Sequence, residues 1–380
     1  MSARPYESCD ALIVGGGPAG STCARVLRRA GLDVLVMDKH EFPRDKVCAG
    51  WITPAVVDLL ELDVEDYRRA RVFQPITSFL TGPEDGPQVA TTYGRAVSFG
   101  IRRCEFDHYL LRRSGVRLAL GEALDSMRRG ESGWIVNERI ETGLVIGAGG
   151  HFCPVARHLG ARPGRGEVAV VAQEIEFELD ADQQRECRIE PHRPELFFCG
   201  DMKGYGWCFR KGNFLNVGLG REGGHQLSRH VQAFRASLIA QGKIPRGTPA
   251  DFHGHAYLLY STAQRTVVHD GVLLIGDAAG LAYPQSGEGI RPAIESALMA
   301  AQTVCAARGD YRLDRLATYQ RRLDARYGLR ATPPKRVLLP EQLKQALAGR
   351  LLASHWFSRH VVLNRWFLHE HEKPLATHTV

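Results

Sequence analysis

Gly15, Gly17 and Gly20 are spaced as Gly-x-Gly-x-x-Gly. This spacing suits a pyrophosphate: the first glycine permits a tight turn, the second lets the backbone approach the phosphates, and the third lets a helix pack on a strand. Asp38 stands where a carboxylate closing the next strand would accept ribose hydroxyls. A second run, Gly276 to Gly280 with Asp277 inside it, leads through Pro284 to Ser286, Gly287, Glu288, Gly289 and Ile290. Asp277 can accept a ribityl hydroxyl, and the glycines leave backbone bare enough to lie against a flat ring. A helix beginning near Gly289 would aim its positive end at that ring and stabilise negative charge on its reduced form. The chemistry implied is hydride and electron transfer by a dinucleotide with a flavin ring, FAD. Tyr205, Trp207 and Phe209 alternate, so on a strand they share one face. That face could line a groove for a hydrocarbon chain or pack on the core.

These residues need elements to place them. DALIV at 10–14 reads as a buried strand, 21–30 as a helix closed by Gly31, and 33–38 as a second strand. Residues 40–55 read as an irregular loop, 54–70 as helical, and 102–114 as a helix with Phe106, Tyr109 and Leu110 on one face. A strand and turn follow at 116–127, then a hairpin feeding a strand that ends at Gly147. From about 165 to 265 short strands alternate with glycine turns, with one helix near 226–241. A buried strand delivers Asp277, a small-residue helix covers 288–307, and 335–372 reads as a helical tail carrying Trp356, Phe357, Trp366 and Phe367. The expected fold is α/β: a Rossmann-type FAD-binding domain, an inserted antiparallel β-sheet substrate domain and a C-terminal helical tail. The FAD-binding domain is expected to be discontinuous, 1–160 and 266–330, around the sheet domain at 161–265, with the tail at 331–380.

The 380-residue chain is 44% hydrophobic and 24% charged, the balance of a globular protein. Its net charge of +7 is spread without one long basic run, so nucleic acid is not an expected partner. Nine cysteines, an odd number with no CxxC pair, argue against a disulfide framework or a zinc site, and no metal is expected. No apolar run is long enough to span a bilayer, and the N-terminus lacks the apolar core of a signal peptide. A cytoplasmic location is expected. The aromatic pairs of the tail could touch a membrane surface, roof a substrate channel or pack on the body.

The two glycine motifs together resemble the glutathione-reductase-type, p-hydroxybenzoate-hydroxylase-like flavoproteins. Three further segments narrow this to the geranylgeranyl reductase-like family. FPRDKVCAGWITP at 42–54 resembles the loop that carries Cys-Gly-Gly or Cys-Ala-Gly near the flavin, IRRCEFDHYLL resembles the family's Arg-x-x-Phe-Asp helix, and GYGWCFRKG resembles its Tyr-x-Trp-x-Phe-Pro segment. The resemblance covers roughly residues 8–330 and implies that Ala19, Asp38, Cys48, Ala49, Arg103, Ala123, Asp277, Gly289 and Ile290 surround FAD. Arg103 could also pair with the pyrophosphate on chemical grounds. Cys48 is expected either to donate a proton or to neighbour the flavin as a small apolar group. Cys153 and Cys208 are further candidates for the site lining, and His151 for a structural hydrogen bond.

Two departures bear on the chemistry. Arg210 follows Phe209 where the family has proline, exchanging a fixed turn for a cation. Gly149 stands where single-component flavin hydroxylases carry aspartate, which weighs against hydroxylation. The expected activity is therefore reduction of C=C bonds in an apolar isoprenoid-like or natural-product substrate by hydride transfer from flavin N5. Cys48, Tyr205 and Trp207 are the candidate catalytic residues, and the electron donor is NADPH or a separate reductase. Two alternatives are a monooxygenase or oxidase of an aromatic or polyketide substrate, and an electron relay working with a protein partner. A carrier protein and peripheral membrane contact are further possible partners.

Overall fold

In the computed structural model the described residues are 7–162, 169–222, 224, 226–263, 265–328 and 341–375. The first strand, Glu7–Val14, is apolar from Ala11 onward and lies at the centre of a sheet. It pairs in parallel with Val34–Asp38 on one side and Ile140–Gly147 on the other. Arg117–Leu120 extends the sheet beyond the second strand, and Val272–Leu274 beyond the strand ending at Gly147, both in parallel. The inner strands are buried on both faces and are near-continuous runs of Val, Ile and Leu, as parallel sheets require, whereas the edge strand Arg117–Leu120 is partly exposed. The hairpin read from the sequence is present: Trp134–Val136 pairs antiparallel with Ile140–Gly147, and Asn137 and Glu138 take positive φ at its turn.

Helix Pro18–Arg29 leaves the first glycine turn and packs against helices Arg103–Ser114 and Ile290–Ala307. Where one helix was expected over 54–70 there are two, Pro54–Leu59 and Val64–Arg68. Glu61 takes φ 48° between them, and the Asp63 side chain caps the second by accepting from Asp66 N. The loop over 40–55 also contains a short strand, Trp51–Ile52, paired with Ser98–Ile101 in a three-stranded sheet with Phe73–Ile76.

The other large sheet has seven strands, in the order His253–Leu258, Ala169–Glu178, Phe214–Glu222, Gly204–Lys211, Glu195–Phe198, Ser78–Pro83, Val89–Thr92. The last two come from outside the 161–265 stretch, and Ser78–Pro83 pairs with Glu195–Phe198 in parallel, so the sheet is not wholly antiparallel. One face packs on helix Leu227–Ala240 through Phe234 and Leu238. The opposite face, carrying Trp207 and Phe209, is covered by the tail, whose Val362, Leu363 and Phe367 are buried there. In the tail, the helices Glu341–Leu352 and His355–Phe357 are followed by the π-helical stretch Ser358–Phe367.

Candidate functional site

The glycine turn is sterically closed to larger residues. Gly15 has φ +117°, and a Cβ there would lie 2.4 Å from Ala148 O; one at Gly20 would lie 1.9 Å from Gly15 O. Backbone therefore runs where side chains would otherwise be. Gly17 caps helix Pro18–Arg29 with no side-chain hydrogen bond and no acid in the first turn, so its free N–H groups and positive end remain available to an anion. Asp38, buried, fixes the turn: its Oδ2 accepts Gly16 N at 2.7 Å and its Oδ1 accepts His40 N at 2.9 Å. Ala123 is exposed and follows Glu122, whose N–H donates to Asp38 O at 3.0 Å.

The two motifs meet at a small-residue contact. A Cβ added at Gly276 would lie 3.1 Å from Ala19 Cβ and 3.3 Å from Ala293 Cβ. Gly276–Ala279 forms a single 3-10 turn, with Gly276 N donating to Ser296 Oγ at 3.0 Å. This delivers Asp277 beside Gly289, where an added Cβ would come within 2.9 Å of Asp277 Oδ1. Gly287, at φ +68°, lies under Tyr257, whose hydroxyl would be 2.2 Å from an added Cβ. Gly289 caps helix Ile290–Ala307, again with no side-chain cap and no acid in the first turn. Asp277 lies in a cationic setting. Burial alone would raise its pKa, but His255, Lys46 and Arg103 more than offset this and hold it near 2. His255 Nε2 is 3.7 Å from Asp277 Oδ2, and Lys46 Nζ lies 2.7 Å from the same ring nitrogen. Burial in turn draws Lys46 down to about 8.

Lys46, His255 and Arg44 escaped the sequence reading. Arg44 stacks over Phe42, approaches Asp107 at 3.4 Å, and presents a guanidinium nitrogen 3.6 Å from where a Gly17 Cβ would sit. Both cations belong to the loop that carries Cys48, so a charge count over 42–54 would have found them. Arg103 is buried and makes a bidentate pair with Asp107, 2.9 Å in each arm. Burial would lower its pKa, but Asp107 and the neighbouring Cys48 raise it overall.

The Cys48 loop is clamped by a buried polar network on the seven-stranded sheet. Glu174 Oε1 accepts Cys48 N at 2.6 Å, Asn216 Nδ2 donates to Cys48 O at 3.3 Å, and Lys211 Nζ donates to Ala49 O at 3.1 Å. Asn216 also reaches Glu174 and Glu176, and Lys211 pairs with Glu176. Burial lifts the Glu174 carboxyl to about 7, against the Cys48 backbone N–H and the Lys211 charge. Trp207 belongs to this network: its Nε1 donates to Asn216 Oδ1 at 2.7 Å, and its indole lies 2.3 Å from where a Gly218 Cβ would be. It is a buried wall and anchor.

Tyr205 bridges the two halves of the site. Its hydroxyl donates to Ser286 O at 2.5 Å, and its ring meets Phe367 edge-on at 5.2 Å and Trp207 at 5.9 Å. Arg210 points away from this aromatic face and bonds Gly212 O at 3.0 Å; the cation on the site side is Lys211, two residues past Phe209. Cys208 is fully buried on the opposite face, in the core with helix Leu227–Ala240, and does not line the site. Cys153 is buried in the parallel-sheet core at the start of helix Pro154–His158. His151 is buried beside Arg265, 3.4 Å from its guanidinium.

Bare backbone at Gly15, Gly20, Gly287 and Gly289, two open helix N-termini and the cations Arg44 and Arg103 fit a dinucleotide laid from the first turn to the second. Residues 8–70 match the FAD binding domain family. The chain is 31% identical to the menaquinone reductase of Mycobacterium tuberculosis, over 78% of this chain and 76% of that protein. It is 29% identical to the digeranylgeranylglycerophospholipid reductase of Methanothrix thermoacetophila, over 83% of this chain and 82% of that protein. Its fold superposes on a geranylgeranyl bacteriochlorophyll reductase-like protein of Thermoplasma acidophilum with a TM-score of 0.72 at 20% identity, covering 92% of this chain and 88% of the other.

Proposed function

Because the chain belongs to the geranylgeranyl reductase-like family of FAD-dependent oxidoreductases, we propose that it reduces C=C bonds of an apolar, isoprenoid-like or natural-product substrate. One observation carries this reading. The aromatic face of Tyr205, Trp207 and Phe209 adjoins the segment that would border the flavin, tied to it by the bond from Tyr205 to Ser286 O. Packed beneath the tail, Trp207 and Phe209 keep water from that side, and the half-buried Tyr205 is the ring that would meet a hydrocarbon chain. Gly15, Gly17, Ala19, Gly20 and Arg44 would hold the pyrophosphate and Asp38 a ribose. Asp277 would take the ribityl chain; Cys48, Ala49, Arg103, Gly287, Gly289 and Ile290 would surround the ring. When bound, FAD supplies the hydride. The electrons come from a nicotinamide or from a separate reductase.

Asp277→Ala is expected to lose most of its flavin on purification, since the ribityl acceptor disappears and Lys46 and His255 lose the carboxylate beside them. Cys48→Ala should keep flavin and slow turnover roughly tenfold, the scale of a modest misplacement at the reacting centre. Flavin absorbance and single-turnover reoxidation measure both; equal flavin content and unchanged turnover in the two variants would overturn the assignments. Anaerobically reduced protein should be reoxidised by an isoprenoid alkene. Oxygen-dependent hydroxylation instead would speak for a monooxygenase, and reoxidation only by a protein for an electron relay.

Among the described residues no helix is long and apolar enough to cross a membrane. Leu347 and Leu351 lie one helical turn apart, 51% and 39% exposed, and Trp356 is 65% exposed. With Arg350 and Arg359 nearby in the chain, they suit a peripheral contact with anionic lipid through which an apolar substrate could enter.

A further inference from the structure

The segment that borders the flavin also carries an acid outside the function proposed above. The Glu288 side chain is 7% exposed, and no side chain among the described residues hydrogen-bonds either carboxyl oxygen; the Arg291 backbone N–H is the one group that acts on it in that way. Buried carboxylates are ordinarily paired, so one with no side-chain partner calls for a role. Its polar neighbour comes from the far end of the chain: His369 Nε2 lies 3.6 Å from Glu288 Oε2 and likewise has no hydrogen-bond partner. His369 is held in place, stacked on Tyr283 at 3.8 Å, with its carbonyl facing Arg291 and its Nδ1 3.6 Å from Glu372. Glu372 in turn accepts from Tyr283 Oη at 2.6 Å and from Arg326 at 3.0 Å. A line of titratable groups thus runs from the tail to the flavin segment, ending beside Tyr205, on which both Cys48 and Glu288 act electrostatically.

We propose that Glu288 is the acid that supplies the proton in C=C reduction, and that His369 returns a proton to it from the tail side. The inference rests on the reductase reading. One alkene carbon takes the hydride; the π pair forms the second C–H bond with the Glu288 proton, the O–H bond breaks, and its electrons remain on the carboxylate. A solvent proton passed through His369 restores the acid. Cys48 is less suited to this step, because its sulfur accepts Gly50 N at 3.4 Å and neighbours Arg103, an environment made for an electron-pair donor. Around Glu288, burial raises the carboxyl to about 8; Arg291 opposes this, and Glu295 and Glu372 reinforce it. Burial and the charges of Arg291, His371 and Arg326 hold His369 down near 3. At neutral pH the pair is therefore a neutral acid beside a neutral imidazole, the arrangement a proton donor requires.

Glu288→Gln and Glu288→Asp, compared with wild type, test this. In the wild-type-minus-Glu288→Gln difference spectrum of the unreduced protein a protonated-carboxyl infrared band should be present at pH 6 and bleach as pH rises through about 8, while the Glu174 band, which bleaches near 7, is common to both proteins and cancels. In single-turnover reoxidation by an alkene, Glu288→Gln should retain flavin yet react ~100-fold more slowly, with Glu288→Asp partly restoring the rate. The wild-type rate should fall above about pH 8, and that limb should persist in Cys48→Ala. A difference spectrum without that band, or a Glu288→Gln rate within twofold of wild type, overturns the proposal. A wild type that no alkene reoxidises defeats the reductase reading instead, and the carboxyl band still decides whether Glu288 is a neutral acid.

Discussion

Gly20→Ala is expected to emerge from purification nearly colourless, with at least tenfold less flavin than wild type. The added Cβ would lie 1.9 Å from Gly15 O, 3.1 Å from Gly15 C and 3.3 Å from Ala148 Cβ. Two of these atoms are backbone of the phosphate turn, so no side chain can rotate away; the turn itself must open, withdrawing the N–H groups that would meet the pyrophosphate. Tenfold weaker binding corresponds to about 1.4 kcal/mol, a small part of what such a displacement costs. Gly289→Ala should be milder, because its 2.9 Å contact is with the Asp277 carboxylate, which can move at the expense of ribityl binding. Gly94→Ala, with nothing within 4 Å of the added atom, should bind flavin normally. Flavin-to-protein absorbance ratios, with circular dichroism to confirm folding, read the series. An order other than Gly20, Gly289, Gly94 would mean that the turn is not the cofactor's seat.

The contrast between Gly20 and Lys211 shows where the sequence is readable. The first glycine motif was legible because its requirement is local: strand, turn, helix and strand are contiguous, and each residue type answers to its immediate neighbours. The parallel core followed for the same reason, since runs such as Val34 to Met37 are apolar throughout. The Cys48 clamp was not legible. Glu174, Glu176, Asn216 and Lys211 look like the polar half of alternating strands, and alternation tells which residues share a face but not what covers it. What covers this face is a loop more than 120 residues away, whose Cys48 N and O close on Glu174 and Asn216. The same limit hid the transfer of Ser78–Pro83 and Val89–Thr92 into the second sheet, and the docking of the tail through Glu372 onto Arg291 and Arg326. The cation noticed in sequence at Arg210 was one residue from the one that matters, and in a strand one residue is the difference between two faces.

Lys211→Met is accordingly expected to destabilise the protein by about 3 kcal/mol and to loosen the Cys48 loop. The ammonium is fully buried, pairs with Glu176, and donates to Ala49 O and to Ile101 O at 3.1 and 3.0 Å. Methionine fills most of the volume but leaves two carbonyls without this donor, and Glu176 with Arg102 and Asn216 alone; a buried charge stripped of a partner dominates the cost. For a chain of this length about 3 kcal/mol corresponds to a melting temperature lower by about 4 °C. The half-exposed Arg210 bonds a single carbonyl, and Arg210→Met should shift the melting temperature by less than a degree. The decisive readout is Cys48 itself. Freed from the pull of Lys211 on Ala49 O, the loop should expose its sulfur, and alkylation of Cys48 in Lys211→Met should proceed several-fold faster than in wild type or Arg210→Met. If Lys211→Met melts and alkylates like wild type, the loop is held by Glu174 and Asn216 alone, and the buried ammonium has another purpose.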